Sequence, residues 1–146
     1  MLSVHGRRSD GFHELMSVVA ALEFGDELEL RLNDSQRDRL SCEDQEIPLD
    51  ENNLVLQAAH RFREFTGRDQ YFDFVLTKRI PVGAGLGGGS SDCVAALKGM
   101  NALTGAGLDT QVLRTLAATL GSDCPFFVDC VPSIMRGRGE VLEPLE

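Results

Sequence analysis

The sequence predicts an α+β domain, and three observations carry that prediction. Residues 27–32 (ELELRL) and 71–77 (YFDFVLT) alternate between polar and apolar, the period of a strand with one covered face. Leu54, Ala58, Phe62 and Phe65 recur every three or four residues, the period of a helix with one buried stripe. The two patterns take turns along the chain, so three helices are interleaved with antiparallel strands.

In chain order, residues 1–4 read as the end of a strand running into the turn-forming segment 5–11. Residues 14–22, with β-branched Val18 and Val19, form a strand that turns at Gly25-Asp26 and pairs antiparallel with 27–32. The charged stretch 33–39 is an exposed connection, and 40–42 or 47–49 adds a short edge strand. Asn52 or Asn53 caps the first helix and Gly67 stops it. In 71–77, Phe72, Phe74 and Leu76 share one face and Asp73 and Val75 the other. The second helix begins near Ser90 or Ser91 with Asp92, carries Val94 and Leu97, and ends at the turn 104–107. Asp109 caps the third, with Val112, Leu113, Leu116 and Leu120 as its apolar stripe and Gly121 at its end. Residues 126–142 read as strand with a turn at 137–139.

The chain has 146 residues, 42% of them hydrophobic, long enough to bury a core without metal or disulfide. Its net charge of −9 argues against coating nucleic acid or anionic lipid through bulk charge. The expected partner is a small molecule, with no nucleic acid and no membrane. Cys42, Cys93, Cys124 and Cys130 form no CxxC pair and read as reduced thiols. No apolar run reaches the roughly 20 residues of a bilayer span, and Arg7, Arg8 and Asp10 interrupt any leader-like segment, so the expected compartment is the cytoplasm.

The most informative segment is Pro81, Val82, Gly83, Ala84, Gly85, Leu86, Gly87, Gly88, Gly89, Ser90 and Ser91, followed by Asp92. Glycines permit positive φ and close backbone approach, so successive N–H groups can turn inward around an anion at a helix N-terminus. The serine hydroxyls can bind a phosphate oxygen or metal-bound water. A functionless loop is the weaker reading, because ordering five glycines in seven positions costs appreciable chain entropy. The stretch also satisfies GxGxxG, but Pro81, the alternating strand before it and the lack of an acidic residue closing a second strand argue against a dinucleotide fold. No GK[ST] follows, which excludes a Walker A loop.

PVGAGLGGGSSD resembles the second motif of the GHMP small-molecule kinases. GRRSDGFHEL at 6–15, GSDCPFF at 121–127 and GRGEVLEPL at 137–145 extend the resemblance along nearly the whole chain, in the family's order. It implies a ribosomal protein S5 domain 2-like architecture, an antiparallel or mixed sheet with helices packed on one face. GRRSDGF and His13 fit the branch of the family that phosphorylates the 2-hydroxyl of cytidylylated methylerythritol in non-mevalonate isoprenoid synthesis. Other GHMP kinases, or a nucleotide-binding remnant without activity, are the alternatives.

By the same resemblance, residues 81–91 wrap the triphosphate of ATP, with Mg²⁺ as the metal and its ligand open among Ser90, Ser91 and an acidic residue. Asp123 matches the catalytic aspartate that orients or deprotonates the attacking hydroxyl; an Asx-turn after Gly121 is the local alternative. Phe12 and His13 stand where the family contacts cytidine. Lys78 matches a lysine beside the adenine pocket, and Asn53-Leu54 a pair that lines it; a solvated strand-end lysine and a helix cap are the plainer readings. Cys93 and Cys124 are expected to be buried packing thiols. The family's lysine-bearing first strand and its second domain have no counterpart, so residues 1–146 are expected to be an N-terminal ATP-binding domain lacking its first strand, without the C-terminal domain.

Overall fold

A computed structural model describes residues 2–7, 13–137 and 141–145. The elements run β1 (Leu2–Arg7), β2 (His13–Val19), β3 (Glu27–Asn33), β4 (Arg39–Cys42), α1 (Leu54–Thr66), β5 (Tyr71–Thr77), α2 (Gly88–Thr104), α3 (Thr110–Ala118), α4 (Phe126–Asp129), β6 (Ser133–Gly137) and β7 (Val141–Pro144). They form an α+β fold with two sheets, a four-stranded one in the order β1-β2-β6-β7 and a three-stranded one in the order β3-β5-β4.

The alternation in residues 71–77 has the predicted consequence. Phe72, Phe74 and Leu76 are buried, while Val75 on the other face is exposed. Each buried ring of this kind contributes roughly 1.5–3 kcal/mol through the water it releases. They meet Val55, Ala58, Ala59 and Phe62 of α1 and Val94, Leu97 and Met100 of α2, so the helices cover one face of the small sheet. Phe65, expected in the stripe of α1, is exposed instead; Val55 and Ala59 complete the buried face. Gly99 lets α2 lie close on β3, since a Cβ there would sit 2.5 Å from Leu30 Cδ2.

The predicted ends of the first helix hold. The Asn53 side chain accepts from Val55 N–H at 2.8 Å, and Gly67 closes the helix at φ 66°. Asp109 caps α3 through Val112 N–H at 2.8 Å. The second helix starts earlier than expected, at Gly88. Gly87 takes the N-cap in a left-handed conformation, and no side chain caps it.

Two expectations are corrected and one choice between alternatives is decided. β2 does not pair with β3: it lies between β1 and β6, while β3 pairs antiparallel with β5. Residues 20–26 cross from one sheet to the other, and Asp26 is drawn inward by Lys78 rather than turning a hairpin. Of the two candidate edge strands only β4 forms, parallel to β5; residues 47–49 are irregular. Residues 126–129 form the one-turn α4, because Pro125 sits in the right-handed helical region at φ −56° and Cys130 N–H returns to Phe126 O at 2.9 Å. The strand resumes at β6; the turn expected at 137–139 falls mostly on residues 138–140, outside the described part. Cys93 and Cys124 are buried, as read from their motifs, and all four cysteines are free.

Candidate functional site

The segment joining β5 to α2 carries the glycine loop. Gly83, Gly85 and Gly87 all have φ 72°, alternating with residues of ordinary φ. This alternation turns successive N–H groups to one side, which is the geometry of an anion-binding nest. Ala84 N–H bonds to Pro81 O at 3.4 Å, and Ser91 N–H to Gly87 O at 2.9 Å. Between them, the N–H groups of Gly85 to Ser90 donate to no other backbone group among the described residues. The free donors of the α2 N-terminus therefore continue those of the loop, and the helix dipole adds to them.

A cavity of about 450 Å³ lies against these donors. Pro81 to Ser90 form one wall, and Asp123 stands at the same cavity. Ile47, Pro48, Leu54 and Leu76 add an apolar part to the lining, and Asn52, Asn53, Lys78 and Asp92 also border the cavity. Free backbone donors together with an apolar lining suit a ligand that joins phosphates to an apolar or aromatic group. A larger depression, about 760 Å³, lies beside α1 around Asp38, Gln57, His60, Arg61 and Arg63. Its cations are already paired, Arg63 with Asp38 at 2.6 Å and Arg61 with Glu64 at 2.9 Å, and no glycine is among the residues that line it. The smaller cavity is the better binding site.

The residues singled out from the sequence fall in different places. Ser90 lines the cavity. Ser91 does not; its hydroxyl donates to Gly88 O at 2.7 Å and closes the first turn of α2. Leu54 sits 3.9 Å from where a Gly89 Cβ would be. The polar atoms of Asn53 are spent on Val55 N–H and on Pro48 O, at 2.8 and 2.9 Å, so it shapes the wall as a cap rather than offering bonds to a ligand. Asp123 is exposed, and the Ser122 hydroxyl approaches it at 3.5 Å. Phe12 lies outside the described residues. His13 begins β2, opposite Arg7, and its side chain is likewise outside the description.

Lys78 overturns the reading as a solvated strand-end lysine. Its side chain is 6% exposed, paired with Asp26 and, at 3.0 Å, with Asp92, whose side chains are 2% and 7% exposed. Burial pushes the Asp92 carboxyl up to about 6, with Lys78 opposing that rise and Asp26 adding to it. Burial also acts to raise Asp26, but hydrogen bonds from Lys78 and from the N–H groups of Arg79 and Ile80 outweigh it and hold this carboxyl below its ordinary value. Desolvation acts to lower Lys78, and the bonds to both carboxylates reverse it, leaving the ammonium above its usual range. The sequence reading missed Asp26 as a site residue, for it lies 52 positions from its partner. Asp92 was visible in the motif, although only as part of a helix start.

The charges at the cavity thus leave no unpaired cation on its wall among the described residues. Phosphate would be held by backbone N–H groups and the α2 dipole, beside the carboxylate of Asp123. Among the described residues no group of three or more His, Cys, Asp or Glu is placed to hold a metal. No helix among them is long and apolar enough to cross a membrane.

Residues 53–137 match the family described as GHMP kinases N terminal domain. The chain belongs to this family. Its GHMP kinase relatives include 4-diphosphocytidyl-2-C-methyl-D-erythritol kinase of Synechococcus elongatus, 44% identical over 99% of the chain and 46% of that protein. The chloroplastic enzyme of the same name from Arabidopsis thaliana is 39% identical over 99% of the chain and 38% of its own length. A crystal structure of 4-(cytidine 5'-diphospho)-2C-methyl-D-erythritol kinase superposes with TM-score 0.83 at 40% identity, over 99% of the chain and 50% of that structure. A homoserine kinase from Cytophaga hutchinsonii follows at TM-score 0.62 and 30% identity over 80% of the chain and 36% of that structure. The chain spans about half the length of the bacterial relatives it matches.

Proposed function

We propose that this domain supplies the nucleotide site and the catalytic aspartate of a cytoplasmic kinase. The reaction is ATP-dependent phosphorylation of the 2-hydroxyl of 4-diphosphocytidyl-2-C-methyl-D-erythritol, a step of non-mevalonate isoprenoid biosynthesis. The observation that carries the reading is the meeting, at one cavity, of a glycine nest with free N–H groups and the carboxylate of Asp123. The kinase of Synechococcus elongatus and the superposed crystal structure, both named for this substrate, support the assignment.

In this reading the triphosphate lies along residues 81–91 and the adenine at the apolar lining near Leu54 and Leu76, with Lys78 beneath the loop. Asp123 accepts the proton of the substrate 2-hydroxyl, or orients that hydroxyl, as its oxygen bonds to the γ-phosphorus and the bond to the ADP oxygen breaks. The N–H groups at the start of α2 stabilise the charge carried by the transferred group. Phe12 and His13 take the cytidine, on the strength of their motif.

Mg²⁺ fits the donor set as a cation held largely by phosphate oxygens, with the Ser90 hydroxyl and Asp123 as the protein oxygens at hand. When bound it neutralises phosphate charge, which a cavity without a free cation requires.

The test is titration of the chain with an ATP analogue and Mg²⁺, followed by phosphorus NMR of ATP mixed in turn with the cytidylylated substrate, homoserine and mevalonate. The expected result is transfer to the cytidylylated substrate alone, with Asp123→Ala leaving analogue binding within about threefold and lowering transfer at least a hundredfold, in the range of lost acid–base and positioning terms. Transfer to homoserine or mevalonate would overturn the substrate assignment, and binding without transfer to any of the three would make the chain a nucleotide-binding unit only.

A further inference from the structure

Lys78 and its two carboxylates occupy a position that nucleotide contact alone does not explain. One Asp26 oxygen accepts the N–H groups of Arg79 and Ile80, at 2.5 and 2.8 Å, and so grips the chain immediately before Pro81. The other Asp26 oxygen pairs with Lys78, whose ammonium reaches on to Asp92 at 3.0 Å. Asp92 lies in α2, one turn past Gly88. The entry and the exit of the glycine loop are therefore joined through a single buried chain of charged hydrogen bonds. The ammonium also lies 3.1 Å from where a Cβ on Gly88 would be, so it packs directly against the backbone at the start of the helix.

We propose that Asp26, Lys78 and Asp92 form an electrostatic staple across the two ends of the glycine loop, and that they are positioning residues which hold the nest open for nucleotide before it arrives. The part of this claim that concerns nucleotide rests on the function proposed above.

The loop needs such a device. Residues 81–86 are exposed, and Cβ atoms built at Gly83 and Gly85 would meet nothing within 4 Å, so neighbouring side chains do not hold those two turns in place. A glycine-rich segment of this kind loses much conformational entropy when it closes on a ligand, and affinity improves when its ends are already fixed. Burial strengthens the clamp, because Coulomb attraction between groups removed from water is screened less than at the surface. It also makes each member costly to leave unpaired.

The experiment compares the chain with Lys78→Met, Lys78→Arg and Asp92→Asn, by amide hydrogen exchange without nucleotide and by titration with an ATP analogue. In Lys78→Met the amides of Arg79, Ile80 and Ser91 exchange at least tenfold faster, those of Leu113 and Leu116 in α3 are unchanged, and analogue affinity falls at least tenfold. Lys78→Arg, which keeps the charge, recovers part of both effects. Asp92→Asn keeps an oxygen for Lys78 and shows the same pattern with smaller amplitude, and it decides the matter if Lys78→Met does not fold. Unchanged exchange at 79–91 in Asp92→Asn and in a folded Lys78→Met, or acceleration that is uniform across the molecule, would overturn the staple. If the unaltered chain binds no analogue, the proposed function fails, and the exchange pattern still decides the staple by itself.

Discussion

The outer and inner halves of the glycine loop obey different constraints. At Gly83 and Gly85 the backbone is left-handed but surrounded by open space, so only φ restricts the residue. At Gly87 and Gly88 the space is filled. A Cβ on Gly87 would lie 2.8 Å from the Phe127 ring, and one on Gly88 would lie 3.1 Å from both Ile80 and Lys78. The outer half is therefore shaped by conformation and the inner half by packing and buried charge. Four of the five glycines, which look equivalent in sequence, are constrained for two separate reasons; Gly89 shows neither, with Leu54 at an ordinary 3.9 Å from its Cβ position.

The largest expected effect comes from joining both constraints. Gly87→Val places a β-branched side chain at positive φ and against Phe127, at a cost of roughly 2–4 kcal/mol from strain and overpacking together. Urea denaturation reads that loss, and analogue affinity falls at least tenfold. A variant as stable as the parent would mean that Phe127 moves aside freely and that the inner half is not close-packed.

An intermediate effect concerns the charge beneath the inner half. Asp92 is pushed up to about 6 from 3.8, so between those values the folded chain holds a proton that the unfolded chain releases. Stability therefore rises as pH falls from 7 to 5, by about 1 kcal/mol from this group. The groups facing it are Lys78 and Asp26; the first, raised, titrates above this window, and the second, lowered, below it. Asp92→Asn is expected to remove this contribution to the slope. Urea midpoints for both proteins at pH 5 and 7 check it, and an equal slope in the two would show that Asp92 does not carry it.

The smallest effect belongs to the outer half. Gly85→Ala adds a methyl group into open space and suffers only the left-handed conformation, about 1 kcal/mol. Its effect on analogue affinity is expected to be several-fold at most. A loss as large as that of Gly87→Val would erase the distinction between the two halves.

The same contrast explains what was legible in the sequence. The nest is contiguous, and its chemistry lies in the backbone that glycine permits, so PVGAGLGGGSSD could be read without a structure. Asp123 was singled out from GSDCPFF, and its place at the cavity agrees with that short local motif. Asp26 was not, because a residue after a glycine looks like a turn former until the fold brings it to Lys78. Lys78 carried a charge, and charge predicts exposure unless a partner elsewhere in the chain compensates it. The pairing of β2 was missed for a related reason. Alternation identifies a strand and its covered face, but it does not say which of two sheets the strand joins. Residues 126–129 were apolar enough for a strand, and only the backbone returning from Cys130 to Phe126 makes them helical.

The most direct test of the account is a titration of the isotope-labelled chain with an ATP analogue and Mg²⁺, followed through its amide resonances. The account predicts saturable shifts at Gly83 to Ser90 and at Leu54 and Leu76, with the amides of Gln57, His60, Arg61 and Arg63 unmoved. Shifts centred on those four residues, with the glycine loop silent, would place the nucleotide in the larger depression beside α1 and contradict it.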